Sequence, residues 1–208
     1  MRTWATWSER LSLIHWSETL LKDFQTAQMS LIQDRLQGLE CSSIKWSAPP
    51  VNCLRMDVDA AYIERTGQYA FGGLIRNHQG HPLLVFGRNL DRPLSVTAAE
   101  LFAIEGGLRI ARDHGFQAHQ VASDSLLVVQ AVTRRDEDHS YVGSIAQDIQ
   151  HLMESQRHIK IMNSRRSDNT VAHSIDAFVI SSSTQFVWEP RSFPFWLNHL
   201  VTNDISSS

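Results

Sequence analysis

From Leu54 onward the apolar residues fall on alternate positions. Leu54, Met56, Val58 and Ala60 interleave with Arg55, Asp57, Asp59 and Ala61, the two-residue period of a β-strand. GQYAFGGLIRN (67–77) and HPLLVFGRN (81–89) predict two more strands, joined by the turn HQG at 78–80. The period then lengthens, and TAAELFAIEGGLRIA (97–111) carries the spacing of an amphipathic helix, predicted over 96–114. A short strand follows at 118–123, a helix from 124 to about 134, a helix at 141–156, a strand at 158–162 and a helix at 168–181. Three meandering strands followed by alternating helix and strand predict an α/β fold. Its mixed five-stranded sheet, three strands antiparallel and then parallel ones, is flanked by helices. Upstream, Leu20, Phe24, Met29, Leu31 and Leu36 give residues 17–38 a helical pattern, and Pro49 and Pro50 end a turn-rich connector. The expected organisation is an N-terminal helical extension (1–45), an α/β domain (46–185) and a C-terminal tail (186–208) rich in Trp, Phe and Pro.

Some acids interrupt this pattern. Glu100 shares the apolar stripe of its helix with Ile104, Gly107, Leu108 and Ala111, where a carboxylate is costly unless something positive meets it. Asp59 lies within the first strand, with Asp57 on the same face roughly 7 Å away. Asp124 stands where the fourth strand gives way to a helix, a position that also suits an N-cap. Acids from a first strand, a first helix and the end of a fourth strand can meet at one edge of the sheet. Held close they repel, and a pair of Mg²⁺ ions would relieve that. Two such ions about 3.5–4 Å apart support in-line attack on a phosphodiester.

Composition narrows the classes. Nineteen Lys and Arg against 22 Asp and Glu give a net charge of −3, so a polyanion would be gripped by a local patch or through metal rather than by overall charge. Cys41 and Cys53 form no zinc spacing or disulfide framework, which fits a reducing compartment. The longest apolar run, LLVVQAV at 126–132, is far too short to span a bilayer, and the N-terminus makes a poor signal peptide. The expectation is a soluble intracellular protein with no membrane partner.

The order of motifs resembles a known family. Residues 46–182 are similar to the ribonuclease H-like domain of plant reverse-transcriptase-like proteins, related to the ribonuclease H part of non-LTR retroelements. WSAPPVNCLRMDVDAAY resembles the family's Trp-x-x-Pro-Pro lead-in and first acidic strand, and FGGLIRNHQGHPL its Gly-Gly-x-x-Arg hairpin. AAELFAIEGGLRIARDHG resembles its Glu helix, VASDSLLVVQAV its Ser-Asp-Ser segment, and NTVAH its closing Asn-x-x-Ala-His helix. The resemblance implies an endonuclease that hydrolyses the RNA strand of RNA–DNA hybrids with two Mg²⁺ or Mn²⁺ ions. Asp59 would bridge both ions, Glu100 and Asp124 would complete one metal site, and His173 would stand at the fourth catalytic position.

His173 occupies a place where active ribonucleases H carry an acid, and a ring nitrogen suits Mn²⁺ or Zn²⁺ better than Mg²⁺. Asn163 stands where active relatives carry a mobile histidine, Ala60 replaces a glycine, and TRRDEDHS (133–140) is too short and mixed in charge to be a basic handle. Candidate nucleic-acid contacts are Arg76 and Asn77 at a hairpin end, and Arg165, Arg166 and Asn169 ahead of the last helix. Expected partners are an RNA–DNA hybrid or other nucleic acid and a protein at the N-terminal helix, on an otherwise monomeric chain. The competing reading is a catalytically weak or inactive retroelement-derived domain that binds nucleic acid or protein. A third, a 3′–5′ exonuclease of similar fold, draws on the pair Asp57 and Asp59.

Overall fold

The computed structural model describes residues 46–205, apart from 92–94, 135–137 and 157–158. The helix expected at 17–38 lies outside the described residues. Ile44–Ser208 form one compact unit. Its strands are β1 (Arg55–Ile63), β2 (Gln68–Arg76), β3 (Pro82–Leu90), β4 (Gln120–Ser123), β5 (Lys160–Asn163) and β6 (Phe186–Trp188). Its helices are α1 (Val96–Asp113), α2 (Leu126–Thr133), α3 (Tyr141–Ser155), α4 (Thr170–Ser182) and α5 (Phe195–Ile205).

The strands form one mixed sheet in the order β5-β4-β1-β2-β3-β6. β1, β2 and β3 make the antiparallel meander, while β4 and β5 join parallel to β1 and to each other. The sequence pattern anticipates this architecture with one strand too few. The sixth comes from the expected tail, where β6 pairs antiparallel with β3 and α5 packs beyond it. Three residues are too few for a visible alternation, and the aromatic residues that place β6 read equally well as a tail.

Each face of the sheet has its own core. Met56, Val58, Phe71, Ile75, Leu84 and Phe86 pack with Leu101, Ile104, Leu108, Ile145 and Ile149 of α1 and α3. Leu74 and Val85 on the other face pack with Val171, Ala172 and Ile175 of α4 and Leu197 and Val201 of α5. Because helices cover both faces, the polar side of β1 does not meet water. Arg55, Asp57 and Asp59 are all buried.

Asp57 shows how this is tolerated. Arg55 Nε donates to its Oδ1 at 2.7 Å, while Arg76 (2.9 Å) and the Trp46 indole (3.0 Å) donate to Oδ2. Arg76 in turn lies over the Trp46 ring, 3.8 Å from its centroid, and pairs with Asp204 of α5 at 2.6 Å. Opposite charges and directed hydrogen bonds replace the water these groups lose. Asp57 is thus a structural anchor. It is neither exposed nor the partner acid that an exonuclease reading requires.

Candidate metal centre

β4 pairs with β1 only as far as Asp57, so the next residues of β1 lie at an opening in the sheet. Asp59 projects there, and Ser123, the last residue of β4, delivers Asp124 to the same place. The opening lies at the carboxyl ends of parallel strands, where α/β sheets characteristically bind ligands. Ser95 caps α1 by accepting from Ala98 N at 3.1 Å, which fixes the helix start one turn before Glu100. The N-cap position of α2 belongs to Ser125, so Asp124 is released from the capping role it could have filled.

One ligand oxygen from each of Asp59, Glu100 and Asp124 lies within 4.8 Å of the others. Asp59 and Glu100 are buried, and Asp124 is half-buried. Side chains from three separate elements thereby converge on one point. The cost appears in the ionisation of these groups. Burial, followed by the charges of Asp59, Asp124 and Asp176, pushes Glu100 up to about 9. Burial and Asp59 also raise Asp124, with Arg166 and His173 acting against them. Glu100 Oε2 is buried and has no hydrogen-bond partner. Hard oxygen donors, an unpartnered buried oxygen and mutual repulsion together fit a divalent cation.

His173 reaches the same opening from α4, its Nδ1 lying 2.9 Å from Asp59 Oδ2, with its side chain 41 % exposed. Asp176 and Asp59 beside the ring push its pKa up to about 10, so Nδ1 carries a proton that it donates to Asp59. One helical turn on, Asp176 is fully buried, and both its oxygens lack a hydrogen-bond partner. Burial, partly offset by His173, raises it to about 7. Gly72 on β2, paired with Asp59, makes room for this. A Cβ there would come within 2.5 Å of Asp176 N, so α4 lies directly against the strand.

Asp176 escaped the sequence reading, although a signal was present. Ala172, Asp176 and Val179 stand at i, i+4 and i+7, which places an acid on the buried stripe of α4, as with Glu100 on α1. Ala60 packs against the core on the α1 side of the sheet. Asn163 is engaged structurally, its Nδ2 donating to Ser123 O at 3.2 Å.

Two of the five expected nucleic-acid contacts, Arg76 and Asn169, are corrected, because both are buried. Arg76 is fully buried in the ion-pair cluster, because the β1–β2 register sets it against Arg55, four residues from the Gly72 that faces Asp59. Asn77 spends its side-chain oxygen on the β2–β3 turn, accepting from Gln79 N and His81 N at 2.9 and 3.0 Å. Asn169 is buried and donates from Nδ2 to Val58 O at 2.9 Å, tying the start of α4 to β1. Arg165 and Arg166 are exposed.

Residues 57–177, more than half of the chain, match the model of the reverse transcriptase-like family. The chain belongs to that family. Among solved structures the fold is similar to RNase H1 of the archaeon Halobacterium salinarum NRC-1. The TM-score is 0.57 at 19 % identity, over 64 % of this chain and 100 % of that one. The N-terminal RNase H domain of a Mycobacterium tuberculosis protein aligns with a TM-score of 0.55 at 20 % identity, over 62 % of this chain and 94 % of that chain. LC11-RNase H1, bound to an RNA/DNA hybrid, gives 0.56 at 15 % identity, over 62 % and 98 %. No curated protein matches. This reverse transcriptase-like chain therefore has the ribonuclease H fold, with a carboxylate cluster compatible with a divalent metal.

Proposed function

We propose that this reverse transcriptase-like domain is a divalent-cation-dependent ribonuclease H-type endonuclease that cuts the RNA strand of RNA–DNA hybrids. The observation that carries this reading is the meeting of Asp59, Glu100 and Asp124, from three separate elements, with ligand oxygens within 4.8 Å of one another. These three residues would hold Mg²⁺ or Mn²⁺, two ions being expected. Such ions supply Lewis-acid activation of water and stabilisation of charge on the phosphodiester.

The protein's own contribution is positioning. Asp59 is fixed from two sides, since Ala60 N donates to Oδ1 at 3.0 Å while His173 donates to Oδ2. Glu100 and Asp124 are held by the cap of α1 and the end of β4, so the cluster is formed before substrate arrives. His173 reaches solvent beside Asp59, its side chain 41 % exposed. Arg165 and Arg166, exposed ahead of α4, offer positive charge to phosphate beside the acids. A hybrid held in this way is read by backbone shape and 2′-hydroxyls, with little base preference. LC11-RNase H1, similar in fold, binds such a hybrid, which supports the choice of substrate.

The test is cleavage of an end-labelled RNA–DNA hybrid by the full chain in Mg²⁺ and in Mn²⁺. Cutting of the RNA strand that Asp59→Asn abolishes is the expected result. Folded protein inactive in both metals refutes the nuclease. A second reading, a binding domain without hydrolysis, draws on the burial of Arg76 and Asn169, which removes them as phosphate contacts. It requires Asp59→Asn and wild type to bind the hybrid equally while neither cuts it.

A further inference from the structure

Among the described residues, Asp176 is a fully buried acid, and neither of its oxygens has a hydrogen-bond partner. The His173 ring lies 3.7 Å from its Oδ1. An unpaired buried carboxylate is too costly to persist without a purpose or a partner. Its surroundings supply the partner's outline. Ligand atoms of Asp59, His173 and Asp176 all lie within 4.8 Å of one another, a second group that shares Asp59 with the Asp59–Glu100–Asp124 cluster.

The geometry points to a cation site formed by Asp59, His173 and Asp176, with mixed nitrogen and oxygen ligands that select a first-row transition ion such as Mn²⁺ over Mg²⁺. Asp176 provides, one turn further along α4, the negative charge that His173 does not bring. The imidazole changes the preference. Mg²⁺ takes oxygen ligands and keeps its waters, whereas the ions from Mn²⁺ to Zn²⁺ accept one ring nitrogen beside two carboxylates. The His173 side chain is 41 % exposed, which leaves a path from solvent for an ion to displace its Nδ1 proton. The close approach of Gly72 to the backbone of Asp176 holds the buried ligand against β2, opposite Asp59. This inference rests on the nuclease reading only through the shared Asp59.

Mn²⁺ titration of the full chain, followed by electron paramagnetic resonance of the free ion, tests the site without any measurement of activity. Wild type is expected to bind two ions. Asp176→Asn, isosteric and relieved of a buried charge, should keep its circular dichroism and lose one ion by at least tenfold in affinity. His173→Asn should lose the same ion, together with the imidazole-nitrogen coupling seen by electron spin echo in the wild type. Glu100→Gln should weaken the other ion and leave that coupling in place. Affinities in Asp176→Asn within twofold of wild type, or a loaded wild type without nitrogen coupling, overturn the inference while the Glu100 site stands. Absence of any bound Mn²⁺ overturns both it and the nuclease reading.

Discussion

Replacing Glu100 by glutamine keeps the shape of the side chain and removes the charge that the centre tolerates least. In the cation-free protein the Glu100 pKa is raised from 4.5 to about 9. Between those values the unfolded chain has released the proton and the fold still holds it. Stability is therefore lost as pH rises, by about 1.4 kcal/mol per unit for one group. From pH 6 to pH 8 Glu100 alone removes about 3 kcal/mol, roughly 10 °C of melting temperature for a domain of this size. Asp176, raised to about 7, adds to the loss between its unfolded value and pH 7. His173 has the same sign, because its extra proton is fully held below pH 6.5 and given up as pH rises toward 10. Thermal unfolding in EDTA at pH 6, 7 and 8 is the assay. Wild type should melt lower at each step, and Glu100→Gln should flatten the slope and melt roughly 10 °C higher than wild type at pH 8. Mn²⁺ at about a hundred times its dissociation constant should return about 2.7 kcal/mol to wild type and less to the variant. A cation-free wild type whose melting temperature is level or rises from pH 6 to pH 8, or a Glu100→Gln protein with an unchanged slope, refutes the reasoning.

Arg76→Leu strips Asp204 of its buried partner and Asp57 of one of its three donors, at an expected cost of about 3–5 kcal/mol in urea unfolding. Asn169→Ala leaves the buried Val58 carbonyl without its donor and should cost about 1–3 kcal/mol by the same measurement. Arg166→Ala should weaken hybrid binding alike for all sequences and reduce the salt slope of the affinity by about 1, and an unchanged slope removes Arg166 from the phosphate path.

Most of the architecture is legible in the sequence, because the strand and helix periods are long and well separated. Alternation in Leu54–Ala61 locates β1, and the helical spacing of 97–111 locates α1 with Glu100 on its inner stripe. Alternation also misleads, since it marks the Arg55–Asp57–Asp59 side as polar without saying whether water or other charges will meet it. A helix from the far end of the chain decides that. Arg76 looks like a surface arginine at a hairpin end because its partners, Trp46, Asp57 and Asp204, stand 30, 19 and 128 positions away. Asp176 stays hidden for the complementary reason. A lone Asp in a helix is ordinary on a surface, and only the close approach of α4 at Gly72 turns that position inward.

The bond between Arg76 and Asp204 also fixes how little of this molecule can be removed. The family match closes at residue 177, yet Leu74 and Val85 are sealed by Leu197 and Val201, and Asp204 neutralises a guanidinium that no solvent reaches. A chain cut back to the matched region would bare an apolar sheet face and a stranded charge together. A fragment that keeps this sheet face covered and Arg76 paired therefore runs to the end of α5, and a gene fusion has to carry that last helix along.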